Sequence, residues 1–211
     1  MSRPLRSRSA AAGLLLAALL PLGGCASLFT REPVPIDYYV LTPISAMGAP
    51  AVVGGPIYAI GPIALPQYLG QNAIAIRPEE NEIAFASDKQ WAEPLSNTIA
   101  SVLAENLAVM LPSDRVVVLP VGPAVPVDYQ ISLDVVRFER QPDGRVRLLA
   151  RWSVFGEGGR RLLGMYHSDR SAPQESGDYP AIATAMSGLL ADLARDIVVA
   201  LRAASPPQNM S

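Results

Sequence analysis

Tyr129-Gln130-Ile131-Ser132-Leu133-Asp134-Val135-Val136-Arg137-Phe138-Glu139 alternates apolar and polar side chains over most of its length. Tyr129, Ile131, Leu133 and Val135 fall on one side, and Gln130, Ser132 and Asp134 on the other. Successive strand residues point to opposite faces, so this pattern is that of a half-buried strand. Gln141-Pro142-Asp143-Gly144 has the chemistry of a turn. Val146 to Phe155 returns, and Gly156-Glu157-Gly158-Gly159 turns again into Arg161-Leu162-Leu163-Gly164-Met165-Tyr166-His167. The stretch predicts a three-stranded antiparallel meander, with Trp152 packed in the sheet and Arg151 on the opposite face.

The flanking segments supply the second layer. Downstream, Ile182, Met186, Leu189, Leu190, Leu193, Ile197 and Leu201 recur at helical spacing, with Asp178 as N-cap and Pro180 in the first turn. Upstream, Leu95, Ile99, Val102, Leu103, Leu107 and Met110 mark a second amphipathic helix that begins at Pro94 and ends at Pro112. Shorter strands are expected at 37–42, 57–60 and 115–119. Residues 73–77 and 82–86 form a hairpin around Pro78-Glu79-Glu80-Asn81. Residues 44–55, small and rich in glycine and proline, read as a loop. The prediction is an α+β fold: a mainly antiparallel sheet with two amphipathic helices packed on one face, in a single domain over 37–204. Residues 205–211 read as a disordered tail.

The N-terminus has a different grammar. Arg3, Arg6 and Arg8 precede the apolar run 10–22, which is shorter than the roughly 20 residues a spanning helix needs. The run closes on Leu22-Gly23-Gly24-Cys25, and Cys25 is the only cysteine. A branched aliphatic residue, two small residues and a cysteine make a lipobox. Residues 1–24 are therefore expected to be a lipoprotein signal peptide, cut before Cys25. The thiol would carry a diacylglycerol and the new amine a further acyl chain, and residues 25–36 would form a lipidated tether. Three chains would hold the protein on a membrane, since each buried methylene adds about 0.8 kcal/mol. Ala26, rather than Asp, follows the cysteine, which favours the outer membrane, periplasmic face, over the inner membrane.

Composition excludes several functions. The full chain carries 17 basic and 19 acidic residues; loss of three signal-peptide arginines leaves a mature net charge of about −5. Its arginines are scattered and Lys89 is its only lysine, so no basic stripe for nucleic acid is present. His167 is the only histidine, and there is no GxSxG, HExxH or phosphate-loop motif. With Cys25 acylated, no thiol nucleophile remains. No catalytic residue, metal site or cofactor is expected beyond the covalent lipid on Cys25, and the chain does not read as an enzyme. Trp91-Ala92-Glu93-Pro94-Leu95 reads as a helix start, with Trp91 beneath the first turn and Glu93 complementing the helix dipole. Trp91 and Tyr68 are the candidate partner-contact aromatics.

An ordered set of landmarks resembles the PqiC-like ABC-type transport auxiliary lipoproteins. It comprises the lipobox ending at Cys25; Tyr38-Tyr39-Val40-Leu41; Ile60-Gly61-Pro62-Ile63-Ala64-Leu65-Pro66-Gln67-Tyr68-Leu69; Trp91-Ala92-Glu93-Pro94-Leu95; Asn106-Leu107; and Leu149-Ala150-Arg151-Trp152. Where the family often has an Asp-Arg pair after Tyr68-Leu69, this chain has Gly70-Gln71. The resemblance implies a non-catalytic lipoprotein that serves an ABC/MCE-type system moving phospholipids or other hydrophobic substrates across the envelope. Its implied partners are an MCE-domain protein and an inner-membrane ABC permease and ATPase, and a homo-oligomeric ring would suit the task. The alternative is a cofactor or assembly factor of another envelope machine, such as a cell-wall synthase or a secretion pore.

Overall fold

The computed structural model describes residues 34–44, 54–111, 113, 115–122, 125–174 and 177–204. The expected signal peptide (1–24), Cys25, most of the expected tether and residues 205–211 lie outside these residues. From Ile36 onward the chain forms one unit. Its elements are β1 (Asp37–Tyr39), β2 (Tyr58–Ala64), a short 3₁₀ helix (Gln67–Gly70), β3 (Ala73–Ile76), β4 (Ala84–Trp91), α1 (Leu95–Met110), β5 (Val116–Val118), β6 (Tyr129–Arg140), β7 (Val146–Gly156), β8 (Arg161–Ala172) and α2 (Tyr179–Ala204).

The meander forms as its alternation predicts. β6 and β7 pair antiparallel along their whole length, as do β7 and β8. Ile131, Leu133, Val135, Ala150, Trp152 and Val154 are buried on the inward face. Trp152 stacks on Tyr166, with ring centroids 4.4 Å apart, and the Arg151 side chain is exposed. Its indole N–H donates to Ser168 Oγ at 3.1 Å, and that hydroxyl donates to Asp196 Oδ2 on α2 at 2.8 Å. The stacked pair is thereby tied to the helix layer. Gly164 is what admits the stack: a Cβ there would stand 2.4 Å from the Tyr166 hydroxyl.

The expected α+β fold with a mainly antiparallel sheet holds, but the eight strands form a mixed sheet rather than a purely antiparallel one. Outside the meander, β1 pairs β4, β2 pairs β5, and both β2 and β3 pair β6, all in parallel. Parallel neighbours require a crossover of a dozen or more residues. The β3–β4 hairpin and α1, both between β2 and β5, supply one. β7 takes one full edge of β6, so β2 and β3 must share the other. β2 covers Tyr129 to Asp134 and β3 meets only Arg140. Between them the partner strand is broken at Pro66 and the 3₁₀ helix. β2 itself runs through Gly61-Pro62 with one extra residue, a β-bulge between Ile60 and Ile63.

Both helices lie against the inward face and against each other. Leu103 and Leu107 of α1 and Leu190, Leu193 and Ile197 of α2 are wholly buried. Asp178 caps α2 through its carboxylate, which accepts the Ala181 N–H at 2.9 Å. Pro94 takes the N-cap position of α1 rather than a place within its first turn. Trp91 is the last residue of β4, not part of the helix start.

Packing, not capping, holds α2. In urea denaturation we expect Leu190→Ala to cost about 2–5 kcal/mol, whereas Asp178→Ala costs about 1 kcal/mol. Equal losses would contradict this ordering.

Candidate functional site

The break between β2 and β3 leaves the middle of β6 without a strand along that edge. The Val135–Val136 doublet makes a bulge there, shifting the register from Val135↔Ala150 to Arg137↔Leu149. Phe138 then turns inward, and Glu139 falls opposite Arg147, both on the face away from Phe138. Glu139 is nevertheless wholly buried.

Four donors surround its carboxylate. Oε2 accepts the Tyr68 hydroxyl at 3.0 Å and the Phe138 N–H at 2.8 Å. Oε1 accepts Arg77 Nε at 3.0 Å and Gln141 Nε2 at 3.0 Å. Arg77 further donates Nη1 to the Glu80 carbonyl at 2.9 Å, and its main-chain N–H to Arg140 O at 2.8 Å. A buried charge is tolerated only when paired and hydrogen-bonded, and this one is held by groups from three segments. The 3₁₀ helix brings Tyr68, the residue after β3 is Arg77, and the β6–β7 turn brings Gln141.

The cluster perturbs its members. Burial and the neighbouring Glu139 charge push the Tyr68 phenol up to about 12. Burial disfavours the Arg77 cation, but its hydrogen bond and ion pair with Glu139 more than offset this and hold it above its usual range. Tyr68 therefore stays protonated and donating, while Arg77 stays charged.

The candidates from the sequence fall in three places. Cys25 and the lipobox residues Leu22, Gly23 and Gly24 lie outside the described residues. Trp91 is only 5 % exposed and belongs to the core. The expectation of a partner contact finds no open ring face there. Tyr68 is half-buried and its hydroxyl is engaged by Glu139. No sequence motif marks Glu139, Arg77 or Gln141 for a role. The only local sign was the Val135–Val136 doublet, which breaks the alternation and puts a phase shift just ahead of Glu139. His167 is an exposed residue of β8 beside Arg151. Among the described residues, no three His, Cys, Asp or Glu side chains gather as metal ligands do, and no helix is long and apolar enough to cross a membrane.

The open face of the sheet carries a groove of about 730 Å³ whose lining includes Pro62, Ala64, Ser132, Ser153, Met165 and His167. It is mostly apolar and open to solvent. The described residues form a two-layer α+β sandwich with one face of the sheet covered by helices, the other open, and a polar knot inside. Residues 39–198, from β1 to near the end of α2, match the model of the ABC-type transport auxiliary lipoprotein component family, and the chain belongs to that family. It is 26 % identical over 146 residues to the intermembrane transport lipoprotein PqiC of Escherichia coli, covering 69 % of this chain and 74 % of that one. Among solved structures, an uncharacterized protein superposes with a TM-score of 0.65 at 20 % identity, covering 80 % of this chain and 99 % of the other. Protein XCC0632 from Xanthomonas campestris gives 0.60 at 17 % identity, covering 79 % and 98 %. Both likenesses concern the fold.

The knot yields a stability prediction. Arg77→Met should cost about 3–5 kcal/mol in urea, because it strands a buried carboxylate. Tyr68→Phe, which removes one donor, should cost about 1.5–3 kcal/mol. The raised phenol also has a sign. Above the ordinary phenol value of 10.0 the unfolded chain loses this proton while the folded chain keeps it, so stability falls as pH climbs to about 12. We expect that fall to be shallower in Tyr68→Phe; an unchanged slope would contradict the assignment.

Proposed function

We propose that this protein is a lipid-anchored periplasmic lipoprotein. In this reading it is the non-catalytic auxiliary component of an ABC/MCE-type system that moves phospholipids or other hydrophobic substrates across the cell envelope. One observation carries the proposal: the family match runs from β1 to α2, directly behind a lipobox ending at Cys25. The relative named for intermembrane transport supports traffic between two membranes as the setting.

On this reading Cys25 carries the acyl groups and Ala26 directs the protein to the outer membrane, where the domain faces the periplasm. The partners are an MCE-domain protein and an inner-membrane ABC permease and ATPase. A homo-oligomeric ring of these domains would present several copies of the open sheet face to one conduit. The acidic mature chain gives nucleic acid no part in the task. Substrate passes along the partner, and the domain contributes position rather than chemistry.

A photo-crosslinking residue at Met165, which is 75 % exposed on the open face of β8, tests the partner in living cells. The expected product joins this chain to an MCE-domain protein. Recovery of a cell-wall synthase or a secretion component, without any MCE protein, would contradict the proposal.

A further inference from the structure

β1 and its continuation present Ile36, Tyr38 and Val40 at strand spacing, 41 %, 62 % and 56 % exposed. The alternate residues turn the other way. The Tyr39 ring lies 6.3 Å from that of Tyr179 on α2, and Leu41 is 4 % exposed in the core. β1 pairs only with β4, so this row stands at an edge of the sheet. A single exposed apolar side chain is ordinary. Three in a row on a strand with only one neighbour form an apolar strip, beside which the same strand carries the exposed Asp37, ion-paired to Lys89 at 2.9 Å.

The chain itself indicates what meets this row. Cys25 lies eleven residues before Ile36. Fully extended, that length spans at most about 40 Å, and Pro33 and Pro35 stiffen its end. Any membrane that holds the lipid is thus always within reach of the row. A short tether raises the local concentration of its target to about the millimolar range, so a strip too small to bind bilayers from solution would be seated once anchored. Its chemistry suits a bilayer boundary: Tyr38 has an apolar ring and a polar tip fit for headgroup level, flanked by two aliphatic side chains.

We propose that Ile36, Tyr38 and Val40 form a membrane-docking strip that seats the domain against the bilayer carrying its lipid anchor. This inference rests on the lipidation of Cys25, and it adds a second contact that orients the domain rather than leaving it free on its tether.

The test uses the lipidated full-length mature protein. Its Cys25 sulfur is a thioether, so an introduced cysteine is the sole free thiol. Tyr38→Cys, Val40→Cys and, as a distant control, Met165→Cys each carry an environment-sensitive fluorophore. The proteins are reconstituted into phosphatidylethanolamine/phosphatidylglycerol vesicles with nitroxide-bearing acyl chains. A face seated about 5–10 Å into the boundary lies near such quenchers, so labels at 38 and 40 should lose about half or more of their emission while the control changes little. If the protein floats with the vesicles but both labels remain unquenched, docking is overturned and the anchor stands. If it does not float, lipidation is overturned and docking with it. If quenching at 38 and 40 disappears on dilution of the protein within the membrane, the strip pairs copies of the chain and the inference also fails.

Discussion

The Glu139 carboxylate, wholly buried and held by four donors, is the constraint on which the sheet depends. The strand beside β6 is broken between β2 and β3, and β3 meets β6 at the single registered pair Ile76↔Arg140. The β1–β4–β3 half would otherwise be joined to the meander half mainly by apolar packing, which has no direction. The carboxylate supplies direction. It ties the 3₁₀ helix through Tyr68, the end of β3 through Arg77 and the β6–β7 turn through Gln141. It also satisfies the Phe138 N–H at the point where the neighbouring strand is missing. Such a knot adds little net stability over a well-packed apolar core. What it adds here is register: only one placement of the two halves brings all four donors to one carboxylate.

Legibility in the sequence followed the range of the interaction. The meander could be read because its alternation, turns and pairing are all local. The helices could be read because their three- and four-residue spacing repeats over many turns. The parallel pairings could not, because β2 finds β5 and β6 only after a long crossover and the side-chain pattern of a strand does not name its neighbour. Pro94 follows Trp91 so closely that the sequence there reads as a helix start, yet β4 continues to Trp91 and the core covers its ring. The Glu139 site was not legible because Tyr68 and Arg77 are 71 and 62 residues away. Only the fold brings them together.

The division of the molecule suits a protein whose work is placement. One face of the sheet is covered by two helices with a filled core. The other is open, with a mostly apolar groove near Met165 and His167. The domain belongs to a family of transport auxiliary lipoproteins. Its N-terminal strand lies one short tether from the cysteine of the lipobox, and the Glu139 knot fixes that strand's half of the sheet to the half bearing the groove. On the proposed function, a domain anchored at one membrane would hold its open face toward a partner rooted in the other.

On the proposed function the domain works by being held at a membrane. The most direct test complements cells lacking the gene with Cys25→Ser behind an ordinary cleavable secretory signal, so that the folded domain reaches the periplasm without lipid. Detergent resistance is measured at matched protein levels. Wild type is expected to restore resistance, and the soluble form to leave cells sensitive. Full restoration by the unlipidated domain would contradict the proposed function.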